Sequence, residues 1–165
     1  MTPYIVIIDD EPVTLKQLRR ILEKERYHVS TVSNPQRALE QIEKRPCHVV
    51  ISDVMMPSMN GLDLMSSIKA RFPETEVILI TGYASLDGAV QATKEGAFYY
   101  LEKPFTPDQV RACVNQALET RRIRDAASNG LPTDARNARA PVIIGESSQI
   151  RDVVSLIQQI GPTKC

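Results

Sequence analysis

Along this chain, short apolar runs alternate with stretches in which apolar residues return every three or four positions. The runs fall at residues 4–8, 28–32, 49–53, 77–80 and 97–101, the third an unbroken Val49-Val50-Ile51 that ends in the carboxylate of Asp53. Most show no polar alternation, so they read as strands buried on both faces. Between them lie helical patterns. Pro12 opens one at its first position, with Leu15, Leu18 and Leu22 on its apolar side. Asn34 caps a second ahead of Pro35, and Ala38, Leu39 and Ile42 form its face. A third runs over residues 62–71 and stops at Phe72-Pro73, after Pro57 and Gly61 have broken the chain. A fourth spans about 85–95, with Gly96 at C′; its small and polar face predicts weak anchoring. Thr106-Pro107-Asp108 caps the fifth, which carries an acid in its first turn and Val110, Val114, Ala117 and Leu118 as an apolar stripe.

Five strands alternating with five helices predict an α/β fold with a parallel sheet covered on both faces. Right-handed crossovers narrow this to a doubly wound arrangement of the flavodoxin-like order 2-1-3-4-5. No Gly-x-Gly-x-x-Gly follows the first strand, which removes the dinucleotide-binding reading. Past Leu118 the helical composition continues as the Arg-rich run 119–125, too polar for a buried element. An isolated polar helix is marginal, so this run needs a partner helix or tight docking; the expectation is a dimerising stalk. Residues 126–140 mix Gly, Pro, Asn and charge without period and read as a linker. Order resumes at residue 141, where Ile150, Val153, Val154 and Ile157 give one apolar helical face. That segment is too short to bury a core alone.

Composition narrows the classes. Hydrophobic residues make up 42%, charged residues 24%, and the formal net charge is +0, which argues against a nucleic-acid or membrane-surface face. The start has no basic-then-apolar signal pattern, and no run approaches membrane-spanning length. The three cysteines, Cys47, Cys113 and Cys165, are widely spaced and fit reduced thiols in a cytoplasmic protein.

The predicted topology brings the acidic triplet Asp9-Asp10-Glu11, Asp53, Thr81 and Lys103 to the C-terminal edge of the sheet, where open α/β sheets place their chemistry. Each residue alone has an ordinary reading: a loop acid, a helix cap, a turn hydroxyl, a surface charge. Together they form a carboxylate cluster with a lysine and a hydroxyl. Clustered carboxylates repel, and an all-oxygen site suits Mg²⁺. Asp53 is then placed to attack a phosphoryl group, with Lys103 and the metal neutralising its oxygens and Thr81 donating a hydroxyl.

The ordered set Asp9-Asp10, Asp53 with Met56-Pro57 and Gly61, Thr81, and Tyr100-x-x-Lys103-Pro104 resembles the receiver domains of two-component response regulators over about residues 3–120. The resemblance implies that Asp53 is the phosphoacceptor served by a sensor histidine kinase. It implies Asp10 as a direct metal ligand, Asp9 as one acting through water, and the backbone carbonyl of Met55 as a further ligand. Lys103 would pair with the phosphoryl group ahead of a cis peptide to Pro104. Thr81 and Tyr100 resemble a switch pair, Tyr99 being the alternative that strand alternation disfavours. Residues 143–162 resemble the entry to the central ATPase domain of sigma-54-dependent activators, such as the nitrogen-regulatory and dicarboxylate-transport regulators. No Gly-Lys-Ser/Thr follows Gly145, so the phosphate loop is expected downstream.

The expected organisation is a receiver domain at 1–120, a helical extension and linker at 121–140, and an ATPase-domain fragment at 141–165. Such a chain would be a phosphoacceptor rather than an enzyme, would form a homodimer, and would itself touch neither nucleic acid nor membrane. A stand-alone receiver acting by protein binding is the first alternative. A phosphatase of the haloacid-dehalogenase type is the second, but it needs an acid two residues after the nucleophile, and Met55 stands there.

Overall fold

The computed structural model describes residues 1–83 and 85–128. Five strands, β1 (Tyr4–Ile8), β2 (His28–Val32), β3 (Val49–Asp53), β4 (Glu76–Thr81) and β5 (Tyr99–Glu102), form one sheet. Its order is β2-β1-β3-β4-β5 with every pair parallel, as the alternation of runs and helices requires. The register puts Ile5 beside Val49, Val49 beside Glu76 and Ile78 beside Tyr99. Helices α1 (Pro12–Lys24), α2 (Pro35–Lys44), α3 (Gly61–Arg71), α4 (Leu86–Lys94) and α5 (Pro107–Ser128) follow the strands in turn.

Successive strand residues point to opposite faces, and this divides the core in two. Val6, Ile8, Val50, Leu79 and Tyr100 pack with Leu64, Met65 and Ile68 of α3 and Ala89 and Ala92 of α4. Ile5, Ile7, Ile51, Ile78, Ile80 and Tyr99 pack with Leu18 and Leu22 of α1 and with Val110, Cys113, Val114 and Ala117 of α5. Tyr99 and Tyr100 therefore belong to different layers. Among the described side chains of α4, Ala89 and Ala92 are buried and Val90 packs partly against the core, a small apolar anchorage.

The helix ends follow from local chemistry. Asn34 Oδ1 accepts from the N–H groups of Gln36 and Arg37, and Pro35 needs no partner. Ser85 Oγ accepts from Gly88 N, and Asn60 Oδ1 from Leu62 N. Gly96 takes φ +100°, the left-handed turn that closes α4. That turn also absorbs Ala97, whose N–H bonds back to Ala92 O; β5 thus starts at Tyr99 rather than residue 97.

Helix α5 continues without a break through the Arg-rich run to Ser128 and includes residues 126–128, expected as linker. Ala126 and Ala127 are strong helix formers and nothing stops the helix there. The rest of the expected linker and the whole 141–165 fragment lie outside the described residues. Cys47 and Cys113 are buried, which pushes both thiols up to about 12. Among the described residues, no helix is long and apolar enough to cross a membrane.

Candidate functional site

Asp9 follows the last residue of β1, and Asp53 is the last residue of β3; since β1 and β3 are neighbours, the two carboxylates meet at the sheet's C-terminal edge. Asp9 is 1% and Asp53 7% exposed. Lys103, just past β5, reaches across to both. Its Nζ lies 3.0 Å from Asp9 Oδ2, 3.1 Å from Asp53 Oδ2 and 3.5 Å from Glu11 Oε2. Each aspartate also accepts from its own following backbone: Asp9 Oδ1 from Glu11 N at 2.8 Å, Asp53 Oδ1 from Met55 N at 3.2 Å. These bonds fix the carboxylate planes.

Asp10 is exposed, yet carboxylate oxygens of Asp9, Asp10 and Asp53 all lie within 4.8 Å of one another. Three hard oxygen donors converging from two strand ends fit a divalent cation such as Mg²⁺. The cost of burying a carboxylate here is visible in Asp9. Burial raises it above its ordinary value, and the Glu11 N–H and Lys103 only partly offset this. Burial works to lower the Lys103 ammonium, but hydrogen bonds to Asp9 and Asp53 and their charges outweigh it, so the group is raised. Glu11, bonded by Thr14 Oγ1 and near Lys103, is lowered. Its part in the cluster is one that motif spacing does not assign.

Thr81 ends β4 and is buried; its Oγ1 accepts from Tyr83 N at 3.1 Å, and its carbonyl accepts from Lys103 N at 2.7 Å. The structure thus gathers Asp9, Asp10, Asp53, Thr81 and Lys103 at one edge, and the Lys103–Pro104 peptide is cis. Tyr100 is buried on the α4 side. Burial raises its phenol against the opposing hydrogen bonds of Thr81 and the Ser85 backbone. A Cβ added at Gly88 would lie 3.1 Å from the Tyr100 hydroxyl, so α4 rests closely on that ring. Tyr99, in the other layer, bonds Gln116.

The loop after Asp53 is drawn tight. Val54 N bonds Ile80 O and Gly61 N bonds Val54 O, and a Cβ at Gly61 would meet Asp53 O at 2.2 Å, which explains the glycine. Met56 packs into the core, whereas Met55 and Tyr83, each two residues past a site residue, are 61% and 81% exposed.

The description "response regulator receiver domain" matches residues 5–115. The chain is 32% identical over 166 residues to the nitrogen assimilation regulatory protein NtrX of Azorhizobium caulinodans, covering 99% of this chain and 36% of that protein. It is 35% identical over 159 residues to the DNA-binding transcriptional regulator NtrC of Escherichia coli, covering 94% and 32%. The chain therefore spans about a third of the length of these curated relatives. Among solved structures it is similar to the beryllofluoride-activated NtrC4 receiver domain dimer, at TM-score 0.69 and 36% identity, covering 72% of this chain and 98% of that one. With this match laid over the acidic edge of a 2-1-3-4-5 sheet, the chain belongs to the response regulator receiver domain family.

Proposed function

We propose that this chain receives a phosphoryl group on Asp53 from a sensor histidine kinase. The observation that carries the reading is Lys103 Nζ bridging Asp9 and Asp53, with Asp10 beside them and the Thr81 hydroxyl at the next strand end. An Asp53 oxygen attacks phosphorus, a P–O bond forms, and the P–N bond to the donor imidazole breaks with the electron pair leaving on nitrogen. Lys103 exchanges its contact with Asp53 Oδ2 for a phosphoryl oxygen, keeping its charge where the transferred group is most negative. Thr81 keeps its hydroxyl proton available, because Oγ1 serves as an acceptor to Tyr83 N. Asp9, Asp10, Asp53 and the backbone carbonyl of Met55 would hold a Mg²⁺, which supplies charge neutralisation on the phosphoryl oxygens.

The output begins at Thr81. Turning its hydroxyl toward a phosphoryl group changes the surroundings of the Tyr100 hydroxyl, against which Gly88 of α4 rests. Since Ala89 and Ala92 are the buried residues among the described side chains of α4, a modest change there shifts its position. The likeness to the DNA-binding transcriptional regulator NtrC supports a transcriptional setting; in this reading the protein is cytoplasmic, with residues 1–120 as receiver, 121–140 as extension and linker, and 141–165 as the start of a sigma-54-type ATPase domain. The dimer in the similar solved structure supports a homodimer through the receiver and α5.

The test is intact-mass measurement with acetyl phosphate. One phosphoryl adduct is expected with Mg²⁺, absent in excess chelator and absent in Asp53→Asn. An adduct that survives either change overturns the assignment.

A further inference from the structure

Helix α5 has 22 residues, about 33 Å at 1.5 Å per residue, while the strands beneath it, β3, β4 and β5 with 5, 6 and 4 residues, span about 13–20 Å. It starts at Pro107 near the acidic edge and so overshoots the opposite edge of the sheet. An overshoot of polar composition has no apolar stripe to hold it, and by itself it would fray. Two arginines, three positions apart and hence on one face, turn back onto the domain instead.

Arg121 Nη1 donates to the carbonyl of Cys47 at 3.0 Å and reaches that of His48 at 3.4 Å, just ahead of β3. Arg124 pairs with Glu76, the first residue of β4, whose side chain is 1% exposed, and lies 3.7 Å from Glu74. From the other face of the sheet, Lys69 of α3 donates to Thr75 O at 2.7 Å and lies 3.5 Å from the same Glu76 carboxylate. Glu76 thus joins both helical layers beneath β4, and Arg121 and Arg124 fasten the overshoot to that joint. Glu119, Arg122 and Ile123, the last 61% exposed, point away from it.

We propose that Arg121 and Arg124 are a clasp, made within one chain, that fastens the last turns of α5 to the N-terminal edge of the sheet. The extension then moves with the receiver as one body before any second copy is met, and it presents the Ile123 face outward at a set angle. The proposal rests on residues 121–140 being the extension and linker of the proposed function, but it does not need Asp53 to be the phosphoacceptor.

Hydrogen exchange on the full chain, at a concentration where sedimentation shows a monomer, tests it without phosphorylation. Amides 119–125 are expected to be protected in the unaltered chain. In Arg121→Gln/Arg124→Gln that protection is expected to fall about tenfold or more, with residues 107–117 and β4 unchanged. Arg124→Lys alone, which keeps the charge, is expected to retain much of it. The proposal is overturned by an extension already unprotected in the monomer. It is equally overturned if the double variant protects 119–125 as before, or if β4 and the first turns of α5 lose protection to the same degree. Because the readout is backbone exchange, a missing Asp53 adduct would leave this result standing.

Discussion

At one edge of the sheet Asp9, Glu11 and Asp53 crowd a single lysine, Lys103; at the other, the Glu76 carboxylate is met by Lys69 and Arg124. Both clusters contain a buried carboxylate, both join strands to helices, and both pair carboxylates with cationic side chains. They differ in balance. The first sets three carboxylates against Lys103, and burial, with a smaller push from Asp53, keeps the Asp9 carboxyl raised despite that lysine. The second has its charge answered from both helical layers. An unbalanced buried cluster costs stability and invites a cation; a balanced one holds elements together.

The largest test of this contrast is Glu76→Ala. Removing that carboxylate takes the shared partner from Lys69 and Arg124 at the base of β4, a change that costs about 3–5 kcal/mol for a buried pair. The lower end is expected here, since the Lys69 and Arg124 side chains are 14% and 25% exposed and can turn toward water. Urea unfolding measures it, and a loss below about 1 kcal/mol would remove the distinction between the edges.

A second test works on the acidic edge. The folded value of Asp9 lies above its ordinary 3.8, so its contribution to stability is present at acid pH and is lost as pH rises from 3.8 through the raised folded value. Mg²⁺ at about 100 times its dissociation constant should then add about 2.7 kcal/mol at neutral pH and much less where Asp9 is protonated. Asp9→Asn should stabilise the metal-free chain at neutral pH and remove most of the Mg²⁺ gain. Thermal melts across pH, with and without Mg²⁺, check both; a Mg²⁺ gain independent of pH would separate Asp9 from the cation site.

The smallest expected effect concerns how long the acidic edge stays modified. Exposed Met55 and Tyr83 flank it and offer neither carboxylate nor amide to orient water. Met55→Asn or Tyr83→Glu should speed loss of the phosphoryl adduct several-fold, about 1 kcal/mol in barrier, as followed by intact mass over time. Unchanged decay in both would assign the lifetime to other groups.

The two edges also differ in how far they could be read from sequence. A strand buried on both faces carries few polar positions before its end, so Asp53 (beside Ser52) and Thr81 stand out as the groups that close apolar runs, and topology alone brings them together. Tyr99 and Tyr100 were separable by alternation. The opposite edge carries no such mark. Glu76 follows Pro73-Glu-Thr and looks like a solvated turn residue, yet the register of β4 against β3 and the reach of Arg124 bury it. The run 119–125 has no apolar period, because its docking uses guanidinium groups on carbonyls and a carboxylate, contacts that periodicity cannot register. Glu11 was visible as an acid, but its bond to Thr14 and its approach to Lys103 depend on where α1 starts.

The buried cysteines give the protein a clock of its own. A thiol pushed up to about 12 holds almost no thiolate at neutral pH, and the thiolate is the form that alkylating reagents attack. Labelling at Cys113 therefore waits for α5 to lift from the sheet, and labelling at Cys47, whose carbonyl receives Arg121, waits for the base of β3 to open. Two labelling times read from one digest would time the opening of the two places separately, with no added dye or engineered residue.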